Sequence, residues 1–159
     1  MLSLWRKIRR VGLVAEPAPP RPERLEVAAG LGGSVQVRHV DAGSCNGCEV
    51  EIGSAFGPVY DADRYGARLV AAPRHADALL VTGPVTRNMA EPLRRTYAAV
   101  PGPRLVVAVG DCARNCGAFA GAYGVDGAVS DVVPVDLEIA GCPPRPEAIV
   151  EGLRKISGR

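Results

Sequence analysis

Three predicted strands of this chain each run directly into a loop that carries cysteine. The cysteines of these loops are Cys45 and Cys48, Cys112, and Cys142. The first two form a C-x-x-C pair in a Gly/Ser/Asn-rich loop, and two thiols at that spacing can hold one metal centre or form one disulfide. The chain must bring distant loops together if all these thiols are to act as one site.

Strand-like and helical segments alternate along most of the chain. Strands are predicted at residues 34–40, 68–72, 78–82, 104–109 and 131–139, and helices at residues 48–56, 91–100 and 146–156. The alternation predicts an α/β fold, with a mainly parallel sheet covered by helices on both faces. Sites in such open sheets lie beyond the carboxyl ends of the strands, so we expect the cysteine loops to meet at one edge. Pro134 within the last strand indicates an edge strand or a bulge.

The chain has the length of one ordinary domain, at 159 residues. Its composition predicts an N-terminal arm at residues 1–33 and an α/β domain at residues 34–159. Within the arm, the proline-rich residues 16–24 are expected to form a stiff, extended linker.

The start of the arm, residues 1–13, combines apolar and basic residues. On a helix, one face is predicted to carry Leu2, Trp5 and Ile8, and the basic residues around it are Arg6, Lys7, Arg9 and Arg10. A basic amphipathic helix with Trp suits a membrane interface or a groove on a partner protein. A frayed, solvated terminus is the alternative.

Charge and motifs argue against several classes of protein. The net charge of +2 gives no reason to expect a nucleic-acid partner. The sequence has no Walker loop, no G-x-G-x-x-G motif and no recognisable nucleophile triad. These observations favour an electron relay that works as a non-autonomous subunit of an oxidoreductase complex.

Cysteine use bears on the cellular compartment. The five cysteines are an odd number without a disulfide-like framework, and the apolar run at residues 11–15 is too short for the core of a signal peptide. The sequence also has no apolar stretch of about 20 residues that could span a bilayer. We therefore expect a reducing cytoplasm, where clustered cysteines more often bind metal or do redox chemistry than form disulfides.

The cysteine spacing limits which metal centre the loops could hold. Structural zinc usually takes two short cysteine pairs, whereas Cys112 and Cys142 stand alone. An iron–sulfur cluster accepts scattered ligands, and Cys142 precedes proline as cluster ligands often do. Glycines beside the cysteines would let backbone N–H groups approach the sulfurs. The spacing favours an iron–sulfur cluster over zinc.

Cys116 is the fifth cysteine, four residues after Cys112. We interpret it as a small buried side chain, and the alternative that Cys116 and not Cys112 is the ligand stays open.

Other polar residues near the cysteines have two interpretations each. His39 is expected to make a structural hydrogen bond, although it lies close to the site. Glu49 and Glu51 could pass protons near a redox centre or could lie on a solvated helix face. Four arginines in loops could balance the charge of a cluster or pair with a partner's carboxylates, and they are Arg74, Arg87, Arg114 and Arg145.

Four segments of the chain resemble, in this order, the cluster-bearing small subunit shared by energy-converting [NiFe] hydrogenases and respiratory complex I. They are G-S-C-N-G-C-E-V-E-I, P-R-H-A-D-A-L-L-V-T-G-P-V-T-R-N-M, G-D-C-A-R-N-C-G-A-F and V-P-V-D-L-E-I-A-G-C-P-P-R-P-E-A-I. The resemblance spans residues 35–153 and implies a flavodoxin-like fold. It also implies one [4Fe–4S] cluster, with the ligands Cys45, Cys48, Cys112 and Cys142. Cys116 departs from the family pattern, which usually has glycine there.

The C-x-x-C spacing places the resemblance nearer to the hydrogenase branch. Complex I subunits typically have two adjacent cysteines in this motif, whereas the small subunits of formate hydrogenlyase and hydrogenase-4-type complexes are similar to this chain. That branch implies electron transfer in a membrane-associated complex, at the inner face of the cell membrane. The implied partners are a large hydrogenase or complex I 49 kDa-like subunit, a ferredoxin-like iron–sulfur subunit and membrane subunits. Two alternatives stay open: a relay to quinone like that of NADH-quinone oxidoreductase (complex I), and a zinc-stabilised binding module without a redox role.

Overall fold

The structure is a computed structural model that describes residues 2–12, 17 and 19–159. Its strands are β1 (Val35–Asp41), β2 (Ala67–Leu69), β3 (Ala78–Thr82), β4 (Val85–Thr86), β5 (Leu105–Val109), β6 (Val125–Gly127) and β7 (Leu137–Ile139). Five of them form a parallel sheet in the order β2-β1-β3-β5-β7, and β4 pairs with β6 in a small antiparallel sheet. Counted within the main sheet, this is the 2-1-3-4-5 order of flavodoxin-like folds. The predicted α/β fold is confirmed.

Helices cover both faces of the main sheet. They are α2 (Gly47–Ala55), α3 (Arg87–Ala99), α4 (Asp111–Asn115) and α5 (Pro146–Ser157), whereas α1 (Leu2–Val11) buries none of its residues. On one face, Ile52 of α2 and Leu153 of α5 pack in the same cluster as Val107. On the other face, Leu93 of α3 packs with Val106. Since neighbouring residues of a strand point to opposite faces, β5 supplies both layers of the core and has to be apolar throughout.

Two element boundaries differ from the predicted ones by four residues or more, and the others differ by three or fewer. Helix α3 begins at Arg87, four residues before the predicted start, because Thr86 is still extended at the end of β4 and the helix follows at once. Pro92 therefore lies inside the helix and not in its first turn. Because proline has no N–H, the carbonyl of Asn88 lacks its usual helical hydrogen bond. The strand predicted at 131–139 forms only as β7, after Pro134, and its place at the edge of the sheet is as predicted.

Part of the N-terminal region lies against helix α5. A 3₁₀ helix, Glu26–Leu31, places Ala28 in the core, and the N–H of Leu25 donates to the carbonyl of Lys155 over 3.0 Å. Arg154 Nη2 donates to the carbonyl of Pro20 over 2.6 Å. The division between residues 1–33 and 34–159 stays a prediction.

Helix α1 has only exposed residues. Some residues of the predicted arm lie outside the described residues: Met1 of the helix, residues 13–16, which include parts of the helix, the apolar run and the linker, and Ala18 of the linker. Within the described ranges, no helix combines the length and the hydropathy that crossing a bilayer requires.

Replacing Leu153 with alanine tests the packing of α5 on the sheet. Leu153 is fully buried, and removing such a side chain leaves a cavity besides losing its burial. We expect Leu153→Ala to lower the free energy of unfolding by about 2–5 kcal/mol, measured by urea denaturation. Val59→Ala is the control, since Val59 is 81% exposed and its loss should change stability by less than about 0.5 kcal/mol. Equal effects of the two substitutions would contradict this packing.

Candidate metal centre

A cavity of about 130 Å³ lies at the carboxyl edge of the main sheet. The loops that follow β1, β3, β5 and β7 line it. They contribute four cysteine side chains, which are Cys45, Cys48, Cys112 and Cys142. The structure thus brings the four cysteines together, as expected for loops at one edge of a parallel sheet, and their role as ligands stays a prediction.

The four thiols differ in their exposure. Cys48 and Cys112 are each only 8% exposed, whereas Cys45 and Cys142 are exposed. Burial, with a smaller effect of the Glu49 carboxylate, raises the pKa of the Cys48 thiol to about 12. Burial also raises the pKa of Cys112, and the nearby Cys142 adds to that shift. The buried thiols therefore hold their protons at neutral pH, and a metal centre has to displace them.

Backbone and carboxylate contacts fix the cysteine loops relative to one another. The N–H of Asp111 donates to the carbonyl of Gly141 over 2.8 Å, and the N–H of Gly141 donates to Asp111 Oδ1 over 3.0 Å. This pair of bonds joins the Cys112 loop to the Cys142 loop. Arg114 holds the Asp111 carboxylate at 3.3 Å and that of Glu138 at 2.9 Å.

The Cys45 loop has a separate brace. Asp41 Oδ1, at the end of β1, accepts hydrogen bonds from the N–H groups of Gly43 and Ser44, over 2.8 and 2.7 Å. These bonds close a tight turn immediately before Cys45. Asp41 and Asp111 were not recognised in the sequence, although an acidic residue at a strand end beside glycine is a common turn signal.

Two glycines allow the loops to approach the thiols closely. A Cβ on Gly110 would lie 2.6 Å from Cys48 Sγ, and the residue has φ +89°. A Cβ on Gly83, at φ +75°, would clash with the backbone nitrogen of Ser44. Both positions combine a positive φ with a contact that leaves no space for a Cβ.

Glu49 belongs to a hydrogen-bonded group beside the cavity and not to a solvated helix face. Thr82 Oγ1 donates to Glu49 Oε1, and His39 Nε2 lies 2.9 Å from Thr82 Oγ1 and 3.4 Å from Glu49 Oε1. Burial lowers the pKa of His39, partly offset by the Glu49 carboxylate. Glu49 Oε2 is buried and has no hydrogen-bond partner among the described residues. His39 thus makes the hydrogen bond that the sequence predicted.

The remaining sequence candidates do not line the cavity, within the part of the chain that the structure describes. They are Glu51, Arg74, Arg87, Arg114, Cys116 and Arg145. Cys116 has φ +66°, and its N–H donates to the carbonyl of Cys112 over 3.0 Å, so it ends helix α4. Burial raises the pKa of its thiol. Arg87 stacks on Tyr123, with Cζ 4.6 Å from the ring centroid.

The donors of the sulfur cavity are four thiols. Among residues 2–12, 17 and 19–159, no three His, Cys, Asp or Glu side chains are placed to hold a single metal ion. The four cysteines line one cavity of about 130 Å³. Four sulfurs around such a space are a donor set that suits an iron–sulfur cluster.

A family model described as "NADH ubiquinone oxidoreductase, 20 Kd subunit" matches residues 45–156, which include all four cysteines of the cavity. The chain belongs to this family. The predicted family is therefore confirmed, and the chain is related to subunits of hydrogenase-type and complex I-type oxidoreductases.

Relatives from several organisms support this relation. The chain is 46% identical over 123 residues to the probable membrane-bound hydrogenase subunit mbhJ of Pyrococcus furiosus, with 77% of this chain and 74% of the relative covered. It is 44% identical over 125 residues to formate hydrogenlyase subunit 7 of Escherichia coli K12, with 79% of this chain covered. The aligned region spans 49% of that subunit, so the match concerns about half of it.

A solved structure also superposes on the fold. It is a chain of the membrane-bound sulfane sulfur reductase, an archaeal respiratory membrane complex, with a TM-score of 0.70 and 32% identity. The superposition covers 84% of this chain and 75% of the other. The fold thus recurs in a respiratory complex whose name refers to sulfur and not to hydrogen.

Replacing Gly110 with alanine tests the close approach to Cys48. The backbone conformation alone, φ +89° with ψ 161°, should lower the free energy of unfolding by about 1–3 kcal/mol, and the contact with Cys48 Sγ adds to that loss. Gly53→Ala is the matched control, because a Cβ at that helical position meets no atom within 4 Å. It should raise stability by up to about 1 kcal/mol. Urea denaturation measures both, and a Gly110→Ala protein as stable as the parent would contradict the geometry.

Proposed function

We propose that this chain is the electron-transfer subunit of a membrane-associated [NiFe]-hydrogenase-type complex and carries one [4Fe–4S] cluster. The proposed ligands are Cys45, Cys48, Cys112 and Cys142. The observation that carries the proposal is the meeting of these four thiols around one cavity at the carboxyl edge of the sheet.

The residues of the site have separate tasks in this proposal. A bound cluster would supply one-electron chemistry. The cysteines would bind it as thiolates, so the protons of Cys48 and Cys112 leave on assembly. Asp111 holds two of the cysteine loops in register through its bonds with Gly141. Gly110 leaves space beside Cys48 Sγ. The exposed side at Cys45 and Cys142 leaves room for a partner subunit to cover the site and exclude water.

The hydrogenase branch is supported by relatives and by one motif. Two relatives are named as a probable membrane-bound hydrogenase subunit and as a formate hydrogenlyase subunit. The C-N-G-C spacing from Cys45 to Cys48 also resembles that branch. We propose a large hydrogenase-type subunit, a ferredoxin-like subunit and membrane subunits as partners, at the cytoplasmic face of the membrane. The family description favours one second candidate, a complex I-type relay that passes electrons to quinone.

Alanine substitutions of the cysteines test the ligand set. We expect Cys45→Ala, Cys48→Ala, Cys112→Ala and Cys142→Ala each to abolish the intact cluster, because each would remove one of four ligands. Cys116→Ala is the matched control and should retain it, since Cys116 does not line the cavity. Iron and acid-labile sulfide are measured on anaerobically purified protein, with about four of each per chain expected for the parent.

Two results would contradict this assignment. One zinc per chain without acid-labile sulfide would support the zinc-stabilised binding module in its place. Loss of the cluster in Cys116→Ala, together with its retention in Cys112→Ala, would show that the ligand in that loop is Cys116.

Purification of the native complex tests the hydrogenase assignment. We expect nickel in the large subunit and hydrogen-dependent reduction of a redox dye, both lost when the large subunit's nickel is withheld during growth. The cluster on this chain should be unaffected by that treatment and serves as the internal control. A nickel-free complex that reduces quinone would favour the complex I-like candidate.

A further inference from the structure

Helix α1 presents its apolar side chains to solvent. Four of them are each between 51% and 63% exposed, and they are Leu4, Trp5, Ile8 and Val11. No residue of the helix is buried. An isolated helix of this length is only marginally stable in water, so α1 is expected to need a surface that covers its apolar side.

The apolar side chains of α1 form one stripe. At about 100° per residue, Leu4, Trp5, Ile8 and Val11 fall within an arc of roughly 120°. Lys7 lies beside the Val11 edge of this stripe, and Arg9 lies beside the Trp5 edge. Leu2, which was expected on the apolar face, falls outside the stripe, between Arg9 and Arg6.

The charge of α1 has a single sign. Its ten residues include Arg6, Lys7, Arg9 and Arg10 and no acidic residue. Cations at both edges of an apolar stripe suit a flat surface, because their long side chains can reach the charged layer on either side while the stripe enters the apolar layer. Trp at the boundary of the stripe fits the same depth, where its ring meets both layers.

We propose that α1 lies flat on a bilayer surface that contains anionic phospholipid, with the apolar stripe towards the acyl chains. Lys7 and Arg9, at the two edges of the stripe, reach the anionic headgroups and strengthen attachment by about fivefold each, while Arg6 and Arg10 on the far side add to the positive charge of the helix. A groove on a partner protein would need an acidic rim on both sides of the helix to match these charges. This inference goes beyond the proposed function and depends on neither the cluster nor the partner subunits.

Fluorescence of the full-length chain tests the proposal directly. Trp5 is the only tryptophan of the chain, so its emission reports on α1 alone. The protein is mixed with vesicles of phosphatidylcholine or of phosphatidylcholine with phosphatidylglycerol, and binding is measured by sedimentation. We expect binding and a blue shift of Trp5 emission with the anionic vesicles, much weaker binding to the neutral ones, and loss of binding as salt is raised.

Two substitutions of equal charge separate the stripe from the net charge. Ile8→Glu places a carboxylate in the stripe, whereas Ser3→Glu places one on the polar side, between Arg10 and Lys7. Neither residue is buried, so the folded body should be unaffected. We expect Ser3→Glu to weaken binding to anionic vesicles by about fivefold, and Ile8→Glu to weaken it by a further factor of about ten or more.

Three outcomes would overturn the proposal. They are the absence of a Trp5 blue shift with anionic vesicles, equal binding to neutral and anionic vesicles, and equal effects of the two substitutions. Absence of vesicle binding by the parent chain, together with co-purification of the partner subunits by the parent and not by Ile8→Glu, would assign the stripe to a protein groove instead. A failure of this test would leave the cluster measurements unchanged, so the two proposals can be judged separately.

Discussion

The parallel register of four strands determines where the site can form. Their last residues align across the sheet: Asp41 pairs with Thr82, Thr82 with Val109, and Val109 with Ile139. Because each cysteine loop starts within a few residues of this row, thiols that are distant in the sequence lie side by side. A slip of one residue would turn the side chains of a strand to the opposite face. The apolar side chains buried on both faces therefore hold the register and, through it, the site.

Contacts between loops then set the spacing within the site. Asp111 and Gly141 exchange two hydrogen bonds, and Gly110 lies against the sulfur of Cys48 from another loop. The conformation of each loop thus depends on its neighbours, as in other cooperative polar networks. The burial that shapes the cavity also raises the pKa of Cys48 to about 12. Binding of the proposed cluster would consequently be coupled to proton release and to the folding of the same loops.

The sequence predicted the parts of the structure that depend on pattern and topology. The strand predicted at residues 104–109 is observed as β5, which is one residue shorter. The positions of the cysteines after strand ends correctly predicted that their loops meet at one edge of the sheet. The hydrogen-bonded position of Glu49 could not be predicted, because its contacts with Thr82 and His39 exist only once β1 and β3 have paired. The short β7 and the early start of α3 were missed since both boundaries depend on neighbouring turns. The proposed assignment of the four cysteines as ligands depends on both the family resemblance and the observed cavity.

Exposure differs across the proposed cluster site, and this difference bears on which subunit determines the chemistry. Cys48 and Cys112 are buried in this chain, whereas Cys45 and Cys142 are exposed. Reduction potentials of clusters respond to hydrogen bonds at the sulfurs and to solvent exposure. With the proposed cluster bound, this chain would supply the environment of one half, and the covering subunit would supply that of the other.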